Sequence, residues 1–110
     1  MNTREIAEQY FNTVIKGGHA EIPLDPNVVG IFPTGTYVGS GAYLEALEEY
    51  LKKVIQISLV HLFVDGNQAI AILEIEFHAA TYSLVEHLTI DNGLITKIVG
   101  FRGAEIPRTT

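Results

Sequence analysis

The stretch TYSLVEHLTIDNGLITKIVGFRG, residues 81–103, decides the fold of this chain. The runs at 81–90 and 94–101 are rich in β-branched, leucine and aromatic residues, which is typical of β-strands. Asp91-Asn92-Gly93 separates the two runs, and Asn-Gly favours a tight turn between antiparallel strands. The segment therefore predicts one long β-hairpin.

Two more long strands are predicted before this hairpin. The runs at 55–64 and 68–79 flank Asp65-Gly66-Asn67, which is a second strong hairpin signal. Ala79-Ala80 marks a weaker turn, and the tail over 103–110 is expected to fray. The C-terminal half thus predicts four consecutive antiparallel strands.

Two helices are predicted in the N-terminal half. The first spans 3–16, with Thr3 as its cap and Gly17-Gly18 ending it. The second spans 42 to about 54, because apolar residues recur there at spacings of three and four, and Ser40 could cap it.

Two short strands are expected between the helices. They span 27–32 and 36–38 and flank Pro33-Thr34-Gly35, a turn signal, while 19–26 forms a loop or a single helical turn. Residues 1–110 therefore predict one α+β domain, with N-terminal helices packed on an antiparallel sheet of four long and two short strands.

Composition excludes several functions. Apolar residues make up 47% of the chain and there is no cysteine, so disorder, disulfides and thiolate chemistry are excluded. A net charge of −6 with seven Lys and Arg argues against nucleic-acid and anionic-membrane partners. Neither a signal peptide nor a span of about 20 apolar residues is recognisable, so a cytoplasmic location is expected. No nucleotide motif is present, and we expect no cofactor.

The element order and the segments VDGN, IDNG and GLITKIVGFRG resemble the nuclear transport factor 2-like superfamily, which includes SnoaL-like polyketide cyclases and ketosteroid isomerases. The resemblance covers residues 3–103 and implies a curved sheet that forms a cone-shaped pocket with the helices. It also implies that the chain binds a small apolar or carbonyl-containing molecule, and a homodimer is common in the family. Because the superfamily mixes enzymes with binding modules, no reaction follows from the fold.

Glu86 is the first candidate site residue. Strand alternation places it in one row with Tyr82, Leu84, Leu88 and Ile90, so a single carboxyl group interrupts an apolar face. Burial raises the pKa of a carboxyl group and makes it a base or a neutral donor. The alternative is that strand twist turns Glu86 to the rim or to a basic partner.

The resemblance assigns roles to Glu86 and Tyr10. VEHLTIDNGLI resembles the isomerase segment that contributes an oxyanion-binding aspartic acid, and YFNTVIKGG resembles the segment that contributes its tyrosine. Tyr10 could equally be an ordinary core residue. The isomerase's proton-abstracting aspartate precedes a proline, whereas Phe32 precedes Pro33 here, so steroid-type isomerisation is not expected.

His61 is the candidate replacement base, because it is in phase with Ile57, Leu59 and Phe63. A core or interface histidine is the alternative. Glu74, Glu76, His78 and His87 share the opposite face, for which a polar interface is favoured over a metal site. The remaining predicted pocket residues are Phe32, Leu47, Leu84, Ile98 and Arg102, of which Arg102 could hold an anionic substituent at the pocket mouth, pair with Glu86 or lie on the surface.

Two functions remain open at this point. One is small-molecule binding, with isomerase or cyclase activity if His61 reaches the pocket. The other is a homodimerisation or protein-interaction module whose pocket is filled by side chains.

Overall fold

One six-stranded sheet carries both helices in the computed structural model, which describes residues 1–19 and 21–107. Ala20 and residues 108–110 of the predicted tail lie outside the described residues. The elements are α1 (Thr3–Ile15), β1 (Leu24–Phe32), β2 (Gly35–Val38), α2 (Ser40–Leu51), β3 (Gln56–Asp65), β4 (Gln68–Glu76), β5 (Thr81–Asp91) and β6 (Leu94–Ile106). The α+β class is confirmed.

The sheet is curved and mixed, and it is not closed. Its strand order is β2-β1-β6-β5-β4-β3, and the pair β1–β6 is parallel while the other pairs are antiparallel. The prediction of an all-antiparallel sheet was therefore wrong at one pair. Turn residues indicate the pairing of strands that are consecutive in the chain, whereas β1 pairs with β6, at the other end of the chain. β1 is also longer than predicted, since Leu24 already pairs with Ile95.

The predicted hairpin turns are confirmed. Asn92 and Gly93 both have positive φ, 52° and 78°, as a type I′ turn requires. Gly66 has a φ of 59° in the turn between β3 and β4, where a side chain would be strained.

Helix α1 packs its apolar stripe against β3 and β4. Its buried residues are Ile6, Ala7, Tyr10, Phe11 and Val14. Asn2, rather than the predicted Thr3, is the N-cap and forms a capping box with Glu5, while the Thr3 hydroxyl donates to the Gly66 carbonyl at 2.8 Å. Helix α2 has Gly39 as N-cap without a side-chain hydrogen bond, so Ser40 does not cap it.

Helix α2 begins and ends earlier than predicted, β4 ends at Glu76 rather than at residue 79, and β3 and β6 differ in pairing from their predictions. β6 continues to Ile106, paired with Thr81 of β5, so the tail does not fray from Gly103 onward. β3 contains a bulge between Leu59 and His61, at Val60, which reverses the strand's alternation. Ile57 and Leu59 point to the core before the bulge, and Leu62 and Val64 do so after it.

Two glycines let aromatic rings lie directly on the sheet. A Cβ at Gly100 would be 2.5 and 2.7 Å from two ring carbons of Phe32. A Cβ at Gly30 would be 2.7 Å from a ring carbon of Tyr43. The rings of Phe32 and Tyr43 also contact each other, with centroids 6.0 Å apart. Among the described residues, no helix is long and apolar enough to cross a membrane.

We expect Gly100→Ala to lower the free energy of unfolding by about 1–3 kcal/mol, because the new methyl group overlaps the Phe32 ring. Gly41→Ala is the control, since a Cβ at that position would have no atom within 4 Å, and because Gly41 lies in α2 it should leave the free energy of unfolding unchanged or raise it by up to about 1 kcal/mol. Urea denaturation measures both. Equal stability of the two variants would contradict the packing of Phe32 on Gly100.

Candidate functional site

A cavity of about 430 Å³ lies between the two helices and the inner face of the sheet. Six of the sequence-predicted site residues line it, namely Tyr10, Phe32, Leu47, Leu84, Glu86 and Arg102. Its volume falls in the range of small-molecule pockets, roughly 300–1,000 Å³. The interior is therefore not filled by side chains.

Glu86 lies on the inner face of β5 and is 8% exposed. Its cross-strand neighbours are Ala71 on β4 and Gly100 on β6, so no bulky side chain flanks the carboxyl group within the sheet. Oε1 is buried and has no hydrogen-bond partner among the described residues. The predicted alternation of this strand is correct, and it turns Glu86 inward rather than to the rim.

Burial raises the pKa of Glu86 to about 7, because the charged form loses its hydration, while the nearby Tyr10 hydroxyl partly lowers that pKa. Both protonation states are therefore accessible near neutral pH. The protonated acid can donate a hydrogen bond, and the carboxylate can accept one.

Tyr10 presents its hydroxyl to the same end of the cavity from α1. It is 1% exposed, and its hydroxyl is hydrogen-bonded to that of Tyr43 on α2. Burial, followed by the charge of Glu86, holds the pKa of both phenols well above 10, so both hydroxyls stay protonated. The two interpretations of Tyr10 thus converge, since it is a core residue that also faces the cavity.

Tyr43 was not predicted as a site residue. It lies in the apolar stripe of α2, where a tyrosine is indistinguishable from a core residue. No local sequence signal marks it, because the packing of its ring on Gly30 is visible only in the folded structure.

Arg102 lies on the inner face of β6, opposite Leu84, at the exposed end of the cavity. Its guanidinium carbon lies 3.9 Å from the centroid of the Tyr82 ring, in a cation–π contact. It makes no ion pair with Glu86. Burial raises the pKa of Tyr50 to about 12 and Glu86 contributes to that rise, while the charge of Arg102 opposes it.

His61 and Ile98 do not line the cavity, which corrects two predictions. The bulge at Val60 turns His61 to the outer face, where it is exposed and its ring lies 5.7 Å from that of Phe63. Ile98 points inward but is fully buried in the core, beside Leu88 and Gly30.

The outer face carries the polar residues that the sequence grouped together. Glu74 is exposed, and His87 Nε2 lies 2.5 Å from Gln68 Oε1. Among the described residues, no group of three or more His, Asp or Glu side chains is arranged to hold a metal ion.

Aromatic side chains form a third of the described cavity lining, eight of 24 residues. All five tyrosines of the chain line the cavity, together with Phe11, Phe32 and Phe77. These rings present flat apolar faces to the cavity, and the tyrosines add phenol hydroxyls at their tips.

The fold is shared with several solved structures. A steroid delta-isomerase from Pseudomonas aeruginosa has a TM-score of 0.83 at 14% identity, covering 94% of this chain and 80% of that one. A protein of unknown function with a cystatin-like fold from Xanthomonas campestris has a TM-score of 0.82 at 22% identity, covering 96% and 93%. An NTF-2 like protein of unknown function from Burkholderia xenovorans LB400 has a TM-score of 0.78 at 12% identity, covering 97% and 90%.

These identities establish likeness of fold alone. No family model matches the sequence, and no curated protein matches it either.

We expect the buried Glu86 to make wild-type stability fall with rising pH, relative to Glu86→Gln. The pKa of Glu86 rises from 4.5 to about 7 on folding. Below pH 4.5 the group is neutral in both states and does not lower the free energy of unfolding, whereas above pH 7 burial of the ionised carboxylate lowers that free energy in full. That rise corresponds to about 3 kcal/mol. Urea denaturation of both proteins between pH 4.5 and 8.5 measures the difference, and parallel stability curves would contradict it.

Proposed function

We propose that this chain, which has the nuclear transport factor 2-like fold, binds a small apolar molecule carrying a carbonyl or phenol oxygen in the cavity. The observation that carries the proposal is the buried Glu86 Oε1, which has no partner among the described residues and belongs to a side chain that lines the cavity. A buried polar atom without a partner is costly, and a ligand oxygen would supply the missing hydrogen bond.

The chemistry of the site suits either type of oxygen. Near pH 7, protonated Glu86 would donate to a carbonyl group, and ionised Glu86 would accept from a phenol. The Tyr10 hydroxyl, which is hydrogen-bonded to Tyr43 and interacts with Glu86, would lie beside the ligand oxygen. The aromatic wall favours a flat, unsaturated body for the ligand.

Binding is favoured over isomerase or cyclase chemistry. Glu86 is the only carboxyl group among the described lining residues, and no histidine is among them. A single carboxyl group cannot hold the substrate oxygen as a neutral donor and remove a proton at the same time. With Phe32 before Pro33 and His61 on the outer face, the second group that such chemistry needs is missing from the described cavity lining.

Homodimerisation through the outer sheet face is a second proposal, independent of the ligand. One row of residues on neighbouring strands crosses this face, formed by Phe63, Ile70, His87, Val99 and Ile31. Phe101 adds to it from the adjacent row and is 56% exposed, while Phe63 is 55% exposed. A row of mainly apolar residues on one face, interrupted by His87, suits a self-complementary two-fold contact.

We expect an aryl ketone such as 2-acetonaphthone to bind about tenfold more weakly at pH 8.5 than at pH 6, because a ketone needs the protonated Glu86 as donor. Glu86→Gln keeps a neutral donor, so its affinity for the ketone should not change with pH. 2-Naphthol, which can also donate, should depend less on pH. Amide chemical-shift titrations measure all three.

The same titrations can reject the proposal. Absence of shifts at Tyr10 and Glu86 with both probes would exclude the binding site. Identical pH profiles for wild type and Glu86→Gln would exclude Glu86 as the titrating donor.

For the dimer, we expect sedimentation equilibrium to give twice the chain mass at tens of micromolar protein, and Phe101→Glu to give a monomer by placing a charge in the contact. Val38→Glu is the control, because Val38 is 69% exposed on edge strand β2, outside the row. Monomeric wild type, or equal dissociation of both variants, would contradict the proposal.

A further inference from the structure

The opening of the cavity is defined by those lining residues that are exposed. They are Pro33, Thr34, Lys53, Ala79 and Arg102. Two of the five carry a positive charge and none carries a negative one. This is unusual in a chain with 13 acidic and seven basic residues, where an average patch would be acidic.

Neither cation is neutralised by the protein. Within the described part of the chain, the ion pair next to the opening joins Lys52 Nζ to Glu49 at 2.9 Å, and neither Lys53 nor Arg102 takes part in an ion pair. The pKa of Glu49 is lowered mainly by its hydrogen bond with Lys52 and, to a smaller extent, by the charge of Lys53. Because the Glu49 carboxylate is already paired with Lys52, it does not neutralise Lys53.

Arg102 is held in place rather than left free. Its guanidinium group stacks on Tyr82, which also lines the cavity, so the charge stays at the opening. Stacking uses the face of the guanidinium plane and leaves its edge N–H groups available for a planar anion.

The two ends of the cavity therefore differ in chemistry. The inner end has Glu86, Tyr10 and Tyr43, which are buried. The outer end has two exposed cations, and aromatic and aliphatic walls lie between the ends.

Resting on the proposed function, we infer that the ligand is an amphiphilic organic acid: a flat apolar body whose carbonyl or phenol oxygen meets Glu86 and whose carboxylate or other anionic group points outward to Lys53 and Arg102. An anion at the inner end would face the Glu86 carboxyl group, which fixes the orientation. A neutral ligand would leave both cations without a partner.

The test compares 6-hydroxy-2-naphthoate, which carries a phenol and a carboxylate at opposite ends, with its methyl ester. Calorimetric titration at pH 7 and low salt should show the acid binding about tenfold more tightly, the sum of two partly exposed charged contacts. This preference should shrink as salt is raised, because both cations are exposed.

The variant Lys53→Gln/Arg102→Gln should bring the acid-to-ester affinity ratio to about one. The matched control Arg4→Gln/Lys97→Gln removes the same residue types from exposed positions outside the cavity and should keep the wild-type ratio. The wild-type ratio and its salt dependence give the answer even if a variant folds poorly.

Equal affinity of acid and ester for wild type, or loss of the preference in both double variants, would overturn the inferred ligand class while leaving the pocket proposal standing. Failure of both probes to bind would overturn the inferred ligand class and the proposed function together.

Discussion

The site depends on the burial of one carboxyl group without a countercharge. Glu86 is enclosed by β4, β6 and the aromatic wall, and Arg102 does not pair with it. An isolated charge in such surroundings is unfavourable, so its pKa rises until the neutral form competes at pH 7. A small change in the surroundings of Glu86, such as a new hydrogen-bond partner in the cavity, is therefore enough to change its protonation state at neutral pH.

Local sequence patterns predicted the parts of the fold that local physics determines. Asn92-Gly93 and Gly66 fix two hairpins through their positive φ angles, and α1 follows from its apolar spacing. The parallel pairing of β1 with β6 joins distant segments, and no turn residue signals it. The extension of β6 to Ile106 depends on pairing with Thr81, which a tail of mixed composition does not reveal.

The same distinction holds within the site. Alternation along β5 and along the regularly paired part of β6 placed Glu86 and Arg102 on the inner face of the sheet, and helical spacing placed Tyr10 in the apolar stripe of α1. The prediction that His61 faces the pocket was wrong because a single bulge in β3 reverses the alternation of side chains. The prediction for Ile98 was wrong because an inward-facing position can lie in the core as well as in the cavity wall. Predicting Tyr43 as a site residue would have required knowing that its ring packs on Gly30, and that contact is seen only in the folded structure.

The bulge at Val60 has a consequence beyond the position of His61. β3 is an edge strand of ten residues, and most of its side chains are apolar. A long, regular apolar edge offers unpaired backbone groups to another chain and is prone to aggregate. An irregular, more strongly twisted edge is a poor template for such growth. We therefore expect the bulge at Val60, which interrupts the regular pairing of β3 with β4, to make the open edge of β3 less prone to polymerise.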